Sequence, residues 1–367
     1  MQIVGDSDVR RVQSAGRAWA QTWKSSCGSW TTISAHYPWP GSDRAGFDMC
    51  YSAQIWADYH KFTKVFGAIM DIKAFVRVFR ERAEGASIKI PKAMEAAFAD
   101  PQTEQERQIK ALIAAYNEDL ASKTEQLLFQ QTKRLADAER TLQSKSTKAA
   151  AESKRIAVDK IEKAKAKLAD LRRVDLKPRD ARIFPGSYAP VMVMEGGKRV
   201  VKPMRYQCRP AGKPAFYDVR FPGTYNARRD NLEGFWKDLF GYSHGIMVVN
   251  AFYENVSRHR VEGRALAEGE TEANVVLEFR PEPAQDMVVA CLWSHWQAPG
   301  QPELLSFAAI TDEPPAEVAA AGHDRCIIPI KPEHVDAWLN PDPRNLAAQY
   351  AILDDRERPY YEYRRAA

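Results

Sequence analysis

The sequence predicts an α+β protein: a mostly antiparallel, barrel-like sheet with flanking helices, interrupted by an inserted α-helical coiled-coil hairpin. Three observations predict it. Residues 102–177 contain neither Gly nor Pro, which in a globular chain marks helix. After Pro178, short apolar β-type runs alternate with Gly, Pro and Asn turns, the pattern of many short strands. Ahead of the helical stretch, apolar residues recur at three- and four-residue steps, the period of amphipathic helices.

Taken in order, residues 1–48 hold Trp19, Trp23, Trp30 and Trp39 among Ser, Gly, Thr and Pro without any period, and read as a disordered leader. From Met49 onwards, Ile55, Trp56, Tyr59, Phe62, Val65, Phe66 and Ile69, then Ile72, Phe75, Val76 and Phe79, predict two helices split near Gly67. In the long Gly- and Pro-free stretch, Leu120/Leu127, Leu128/Leu135/Leu142, Ile161/Leu168 and Ala164/Leu171 are spaced by seven, which predicts a coiled-coil seam. Ser144, Ser146 and Thr147 interrupt it, so the chain is expected to turn back at 143–148. Strands are expected at 191–194, 199–201, 246–249, 274–279, 287–293, 304–310 and 326–330, with Gly196-Gly197 as a hairpin turn. The expected organisation is a leader over 1–48, one domain from 49–100 and 178–367, and a helical insertion over 101–177.

Composition narrows the function. The 367 residues carry 53 Lys+Arg against 48 Asp+Glu, a net charge of +5, and 102–177 alone holds 17 against 12. The whole excess therefore sits in the insertion, either as a solvated basic face or as a grip for nucleic acid. No apolar run reaches the roughly 18 residues of a membrane span, and no apolar stretch of about 7 to 15 residues follows Arg10, Arg11 and Arg17 as in a secretory signal. A cytoplasmic protein is expected. Cys27, Cys50, Cys208, Cys291 and Cys326 are widely spaced and odd in number, against a disulfide framework. Phosphate-loop and dinucleotide fingerprints are absent. Cys291/His295 and His323/Cys326 have ligand-like spacings, but Trp293 shares the strand face of the first pair, so core packing is the simpler reading. No metal or cofactor is expected.

Four polar residues stand beside strand-like runs: Cys50, Asn226, Glu254 and His323. A Cys-His-Asn set suggests thiol chemistry, although such a set is assembled in space and not by spacing. Singly, each has a plainer role: Asn226 as a turn residue, Glu254 as a solvated strand end, His323 as a hydrogen-bonded histidine.

Together, Met49-Cys50, Tyr188-Ala189-Pro190, Asn226-Ala227-Arg228, Phe252-Tyr253-Glu254 and His323-Asp324-Arg325, in that order, resemble the SOS response-associated peptidase (SRAP) family of abasic-site processing proteins. The resemblance implies that Cys50, exposed as the N-terminus, links covalently to the aldehyde of an abasic site in single-stranded DNA, with Asn226, Glu254 and His323 completing the active site. It further implies that Arg228 and Arg325 hold the flanking phosphates and that Pro190 lines the DNA groove, in a nucleoid-associated protein with peptidase and lyase character. Three departures stand out. Tyr51-Ser52 follow the cysteine where the family often has Gly-Arg, Tyr206-Gln207 stand where many members have Trp-Gly, and Arg325-Cys326-Ile327 replaces the usual Arg-x-Pro. Arg205, Arg229 or the basic arm are expected to compensate as DNA contacts, with bases resting on Tyr206, Phe216 or Tyr217. The implied partner is single-stranded DNA with an abasic site; replication-fork proteins, or another copy through the helical insertion, are further candidates. The rival functions are a cysteine peptidase using Cys50, His323 and Asn226, and a coiled-coil interaction protein.

The implied chemistry has a physical basis. Only an uncharged amine attacks an aldehyde, and an α-amine is roughly 14% unprotonated at pH 7 against roughly 0.04% for lysine. The cysteine sulfur can then close on the imine carbon to give a five-membered thiazolidine, an effectively intramolecular step. An amide nitrogen cannot do this. Met49 is therefore expected to be the initiator, or the chain to cut itself before Cys50.

Overall fold

Twelve strands and ten α-helices succeed one another along residues 52–366, the part of the chain that the computed structural model describes; residues 1–48, Met49, Cys50 and Tyr51 lie outside the described residues. In chain order they are β1 (Ser52–Ile55), α1 (Tyr59–Phe66), β2 (Ile69–Met70), α2 (Ile72–Ala83), α3 (Lys92–Ala96), α4 (Glu104–Ser144), α5 (Lys148–Arg172), β3 (Arg182–Ile183), β4 (Tyr188–Glu195), β5 (Lys198–Tyr206), α6 (Tyr217–Arg220) and β6 (Asn226–Arg228). Then follow β7 (His244–Ser257), α7 (Arg258–Val261), β8 (Asn274–Glu282), β9 (Met287–Trp296), β10 (Leu304–Asp312), α8 (Ala316–Ala320), β11 (Cys326–Ile327), α9 (Val335–Leu339), α10 (Leu346–Asp354) and β12 (Tyr360–Arg365).

All twelve strands belong to one branched sheet. Its pairings are mostly antiparallel, as expected, but β10 runs parallel to β5 and β6, and β2 parallel to β5, so the sheet is mixed. The long strand β7 is a branch point, with β4, β9, β8 and β1 along its two edges. Being covered on both faces, it is buried through Ile246, Met247, Val248 and Val249 and, after half-buried Asn250, through Ala251 and Phe252, an apolar run instead of an alternating one. Gly196 and Gly197 both have positive φ, 57° and 73°, the geometry of a tight hairpin turn, and put Glu195 opposite Lys198.

Local chemistry sets the helix ends. Asp58 and Asp71 cap α1 and α2 by accepting from the backbone N–H groups of His60 and Ala74. Here the structure corrects the reading that placed Ile55 in the first helix: helix begins only after Asp58, and 52–55 is extended because it has a strand on either side, β7 and β3. Pairing on both edges outweighs the apolar period. Thr103 and Glu106 form a capping box that starts α4, and the Tyr59 hydroxyl donates to Glu106 at 2.9 Å, tying that helix to the core.

The helical hairpin is present, α4 ending at Ser144 and α5 starting after the Thr147 cap. Its seam differs from the leucine pattern. On α4 the buried seven-residue series is Thr124, Gln131 and Ala138, and on α5 it is Ala150, Ala157 and Ala164 beside Ile161 and Leu168. Leu127 is exposed. On α5 the expected Ile161, Ala164 and Leu168 are therefore in the seam, whereas on α4 Thr124, Gln131 and Ala138 take the place of the expected leucines, beside the small alanines of α5 that let the helices approach closely.

Candidate active site

Glu254 sits on β7 opposite Leu277 of β8, and its side chain has no solvent exposure. Strand β1 pairs with the same stretch, Ser52 opposite Tyr253 and Ala53 opposite Phe252, so β1 begins at the Glu254 end of that pairing. Arg182 marks this entry: its Nε donates to the Ser52 hydroxyl at 2.9 Å and its guanidinium lies 3.7 Å from the centre of the Tyr253 ring, a cation–π contact.

His323 arrives from the other side. After α8, Gly322 takes φ +100°, a conformation that favours glycine, and a Cβ there would also meet the Arg260 side chain at 3.3 Å. The turn leaves His323 buried with Nε2 3.0 Å from Glu254 Oε2, both side chains fully covered. Its Nδ1 lies 2.8 Å from the Arg325 carbonyl oxygen. The Arg325 N–H also lies 3.3 Å from Nδ1, so the backbone of residue 325 holds one edge of the ring while Nε2 faces the carboxylate at ion-pair distance. Cys326, just beyond, has its thiol pushed well up, first by burial and then by the negative charge of Glu254.

Strand β10 organises the arginines. Thr311 has Arg228 of β6 on one edge and Ile327 of β11 on the other, so the segments carrying Arg228 and Arg325 flank one strand. Both guanidiniums converge on Asp230, Arg228 at 2.6 Å and Arg325 at 3.7 Å, and the Arg228 hydrogen bond holds the Asp230 carboxyl below its ordinary range. Asn226, first residue of β6, is buried.

The structure thus brings Glu254 to His323 and Arg228 to Arg325. Other expected contacts sit elsewhere. Arg205 is 2.6 Å from buried Asp218, which Arg209 also holds at 2.8 Å. Arg229 is tied to Asp354 at 2.5 Å. Pro190 is buried in the sheet opposite Pro203. Tyr206 is 3% exposed and packs on Tyr225 and Phe307, so its ring belongs to the core. Gln207 has φ +115°, which explains why glycine suits this position; the glutamine side chain compensates by donating to the Asp218 carbonyl at 2.8 Å. Cys50 lies outside the described residues. Sequence reasoning missed Asp230, although it stands two residues after Arg228, because nothing in spacing shows that it bridges to Arg325. It also missed Asp218 and the Arg182–Ser52 bond, which link residues distant in sequence. Among the described residues no three metal-ligating side chains converge, and none of the helices is long and apolar enough to cross a membrane.

Comparison with known proteins follows the same lines. The family described as SOS response associated peptidase (SRAP) matches residues 140–365, a span that contains Asn226, Glu254 and His323 but not Cys50. Among solved structures, a protein from Bordetella bronchiseptica is 15% identical over 53% of this chain and 90% of its own, with a TM-score of 0.39. One from Bacteroides thetaiotaomicron is 13% identical over 51% and 77%, with a TM-score of 0.38. A phage-related protein of Bordetella bronchiseptica is 18% identical over 50% and 80%, also at 0.38. No curated protein matches. With more than half of its residues matched by the family, the chain belongs to the SOS response-associated peptidase family.

Proposed function

We propose that this protein captures abasic sites in single-stranded DNA covalently, through Cys50 as an N-terminal residue, in the response to DNA damage. The observation that carries the reading is the buried Glu254–His323 pair at the end of the sheet where β1 begins. In the sequence Cys50 stands two residues before Ser52, which opens the strand paired with the stretch of β7 next to Glu254.

In the proposed reaction the α-amine of Cys50 attacks the sugar aldehyde, water leaves to give an imine, and the thiol adds to the imine carbon while its proton passes to nitrogen. Glu254 takes the proton from the amine and returns it, His323 protonates the ring oxygen released on sugar opening, and Asn226 holds the terminus or the sugar hydroxyl. Loss of a proton beside the imine would account for strand-nicking lyase activity. Initiation at Met49 followed by hydrolytic removal of that methionine, or self-cleavage before Cys50, supplies the free terminus. Arg228 and Arg325 meet the flanking phosphates by displacing Asp230, and Phe216, 58% exposed, offers a face for an unstacked base. Because the two ring nitrogens of His323 face Glu254 and the Arg325 carbonyl, proton handling with Glu254 suits it better than the thiolate pairing of a peptidase.

The test uses protein begun at Met49, its Cys50 terminus verified by intact mass, with an oligonucleotide bearing one abasic site. A denaturation-resistant shift is expected, absent from Cys50→Ala and slowed in Glu254→Ala. Verified protein that leaves the oligonucleotide unmodified would defeat the proposal. Blocking the α-amine while sparing the thiol should abolish the shift; proteolysis of other chains that survives this block would favour a peptidase.

A further inference from the structure

The net positive charge of this chain lies in the helical hairpin segment. Residues 102–177 hold 17 Lys+Arg and 12 Asp+Glu, leaving 36 of each sign elsewhere. Within the hairpin the signs separate by helix: α4 has six basic and seven acidic residues, α5 eight basic and four acidic. Towards its C-terminal end α5 exposes Lys160, Lys163 and Lys167 along one side, with exposed Lys165 on the other side of the buried Ile161–Ala164–Leu168 ridge. Of these only Lys163 has a carboxylate partner among the described residues, Asp159.

This cluster is at the body end of the arm. At 1.5 Å per residue, Lys167 and Lys160 lie only about 8 and 18 Å from the last residue of α5. The body end is also fixed. Arg173 bridges Asp170 and Asp180 at 2.9 and 2.7 Å, and Lys92 Nζ donates to the Asp170 carbonyl at 2.5 Å. One short turn later comes β3, the strand paired with β1.

We infer that the exposed lysine face of α5 is a docking surface for the sugar–phosphate backbone of DNA that flanks the captured lesion. The remainder of the molecule carries equal numbers of the two signs, so the net attraction for a polyanion comes from the hairpin, and within it from α5. Clamped at its base, the arm holds that attraction in a constant position relative to β3 and β1. The inference rests on the reading of the protein as a DNA binder, and its test is independent of covalent capture.

Full-length protein and a Lys160→Gln/Lys163→Gln/Lys165→Gln/Lys167→Gln variant are titrated with a labelled 40-nucleotide strand lacking any aldehyde, and with the matching duplex, across a salt series. Glutamine is helix-compatible, and unchanged circular dichroism and Tm serve as the fold control. The variant is expected to lose at least about tenfold in affinity at low salt, with the slope of log K against log salt reduced by about 2 to 3, since each phosphate contact contributes about 0.7 on single strands and 0.9 on duplex. A loss confined to one form identifies which DNA the face meets. A Lys133→Gln/Arg140→Gln control on α4 should bind as the unmodified chain does. Equal affinity and slope in the two proteins would overturn the inference. So would sedimentation showing that the four substitutions abolish a dimer while DNA affinity is untouched, which would assign the face to a second copy and its acidic α4. Failure of abasic capture with binding intact would count against Cys50 chemistry and not against this surface.

Discussion

Oε2 of Glu254 lies 3.0 Å from Nε2 of His323, and neither side chain touches solvent. In such a pair each partner offsets the desolvation of the other, and deleting one strands a polar or charged group in the core at a cost of about 3–5 kcal/mol. Glu254→Ala and His323→Ala are each expected to lower unfolding stability by about that amount. The double variant should cost clearly less than the sum of the two, because no partner is left behind. Denaturant unfolding with unchanged m-values checks this; strictly additive losses would show that the residues do not act as a unit.

Asp230 sits between the two arginines that the proposed function assigns to phosphates, with Arg228 at 2.6 Å and Arg325 at 3.7 Å. A phosphate must therefore compete with a carboxylate already in place. Asp230→Asn is expected to raise single-strand affinity by about three- to tenfold at low salt, and Arg228→Gln to lower it and flatten the salt dependence. Fluorescence anisotropy with a lesion-free oligonucleotide measures both. An affinity unmoved by Asp230→Asn would mean that the arginine pair is structural.

Much of the fold is legible because its causes are local. The Gly196-Gly197 turn, the Thr147 cap and the β-type runs of β4, β5, β7, β8, β9 and β10 declare themselves through a few neighbouring residues. What stays hidden depends on partners far along the chain. Ile55 belongs to an apolar series that suits a helix, yet pairing with Val249 of β7, next to Ala53 and Gln54 that pair with β3 as well, holds it extended. Glu254 and His323 are joined by the crossing of β7 with the turn after α8, a relation that no spacing encodes; the five ordered motifs single out both residues, but not the contact between them. Tyr206 looks like a surface for bases until β5 buries it beside Phe307.

The hairpin seam offers a sharper check of the same lesson. Ala157 is fully buried and Leu127 is 39% exposed, the reverse of what side-chain size suggests. Ala157→Leu should therefore overpack the contact between α4 and α5 and cost about 1–3 kcal/mol, whereas Leu127→Ala should cost less than about 1 kcal/mol. Hydrogen exchange along residues 120–165 resolves local opening of the arm from global unfolding. A larger loss from Leu127→Ala would restore the leucine seam.

His244 makes stability depend on pH in a predictable direction. It is buried, with Nε2 accepting from the Gly241 N–H at 2.8 Å and Nδ1 3.0 Å from the Trp338 carbonyl oxygen. Burial pushes its imidazole down to about 3, against about 6.5 in an unfolded chain. Between those values the unfolded chain binds a proton that the folded one refuses. The contribution of neutral His244 is therefore complete above about pH 6.5 and drains as pH falls towards 3, at up to about 1.4 kcal/mol per unit. His244→Gln can keep one acceptor and one donor without titrating, so its stability should fall less steeply between pH 6.5 and 4 even if it starts lower. Denaturant unfolding of both proteins at pH 7.5, 6, 5 and 4 gives the comparison. Because exposed histidines and carboxylates contribute equally to both curves, the difference between them isolates this one imidazole, and parallel curves would mean that the buried ring accepts its proton in the folded state.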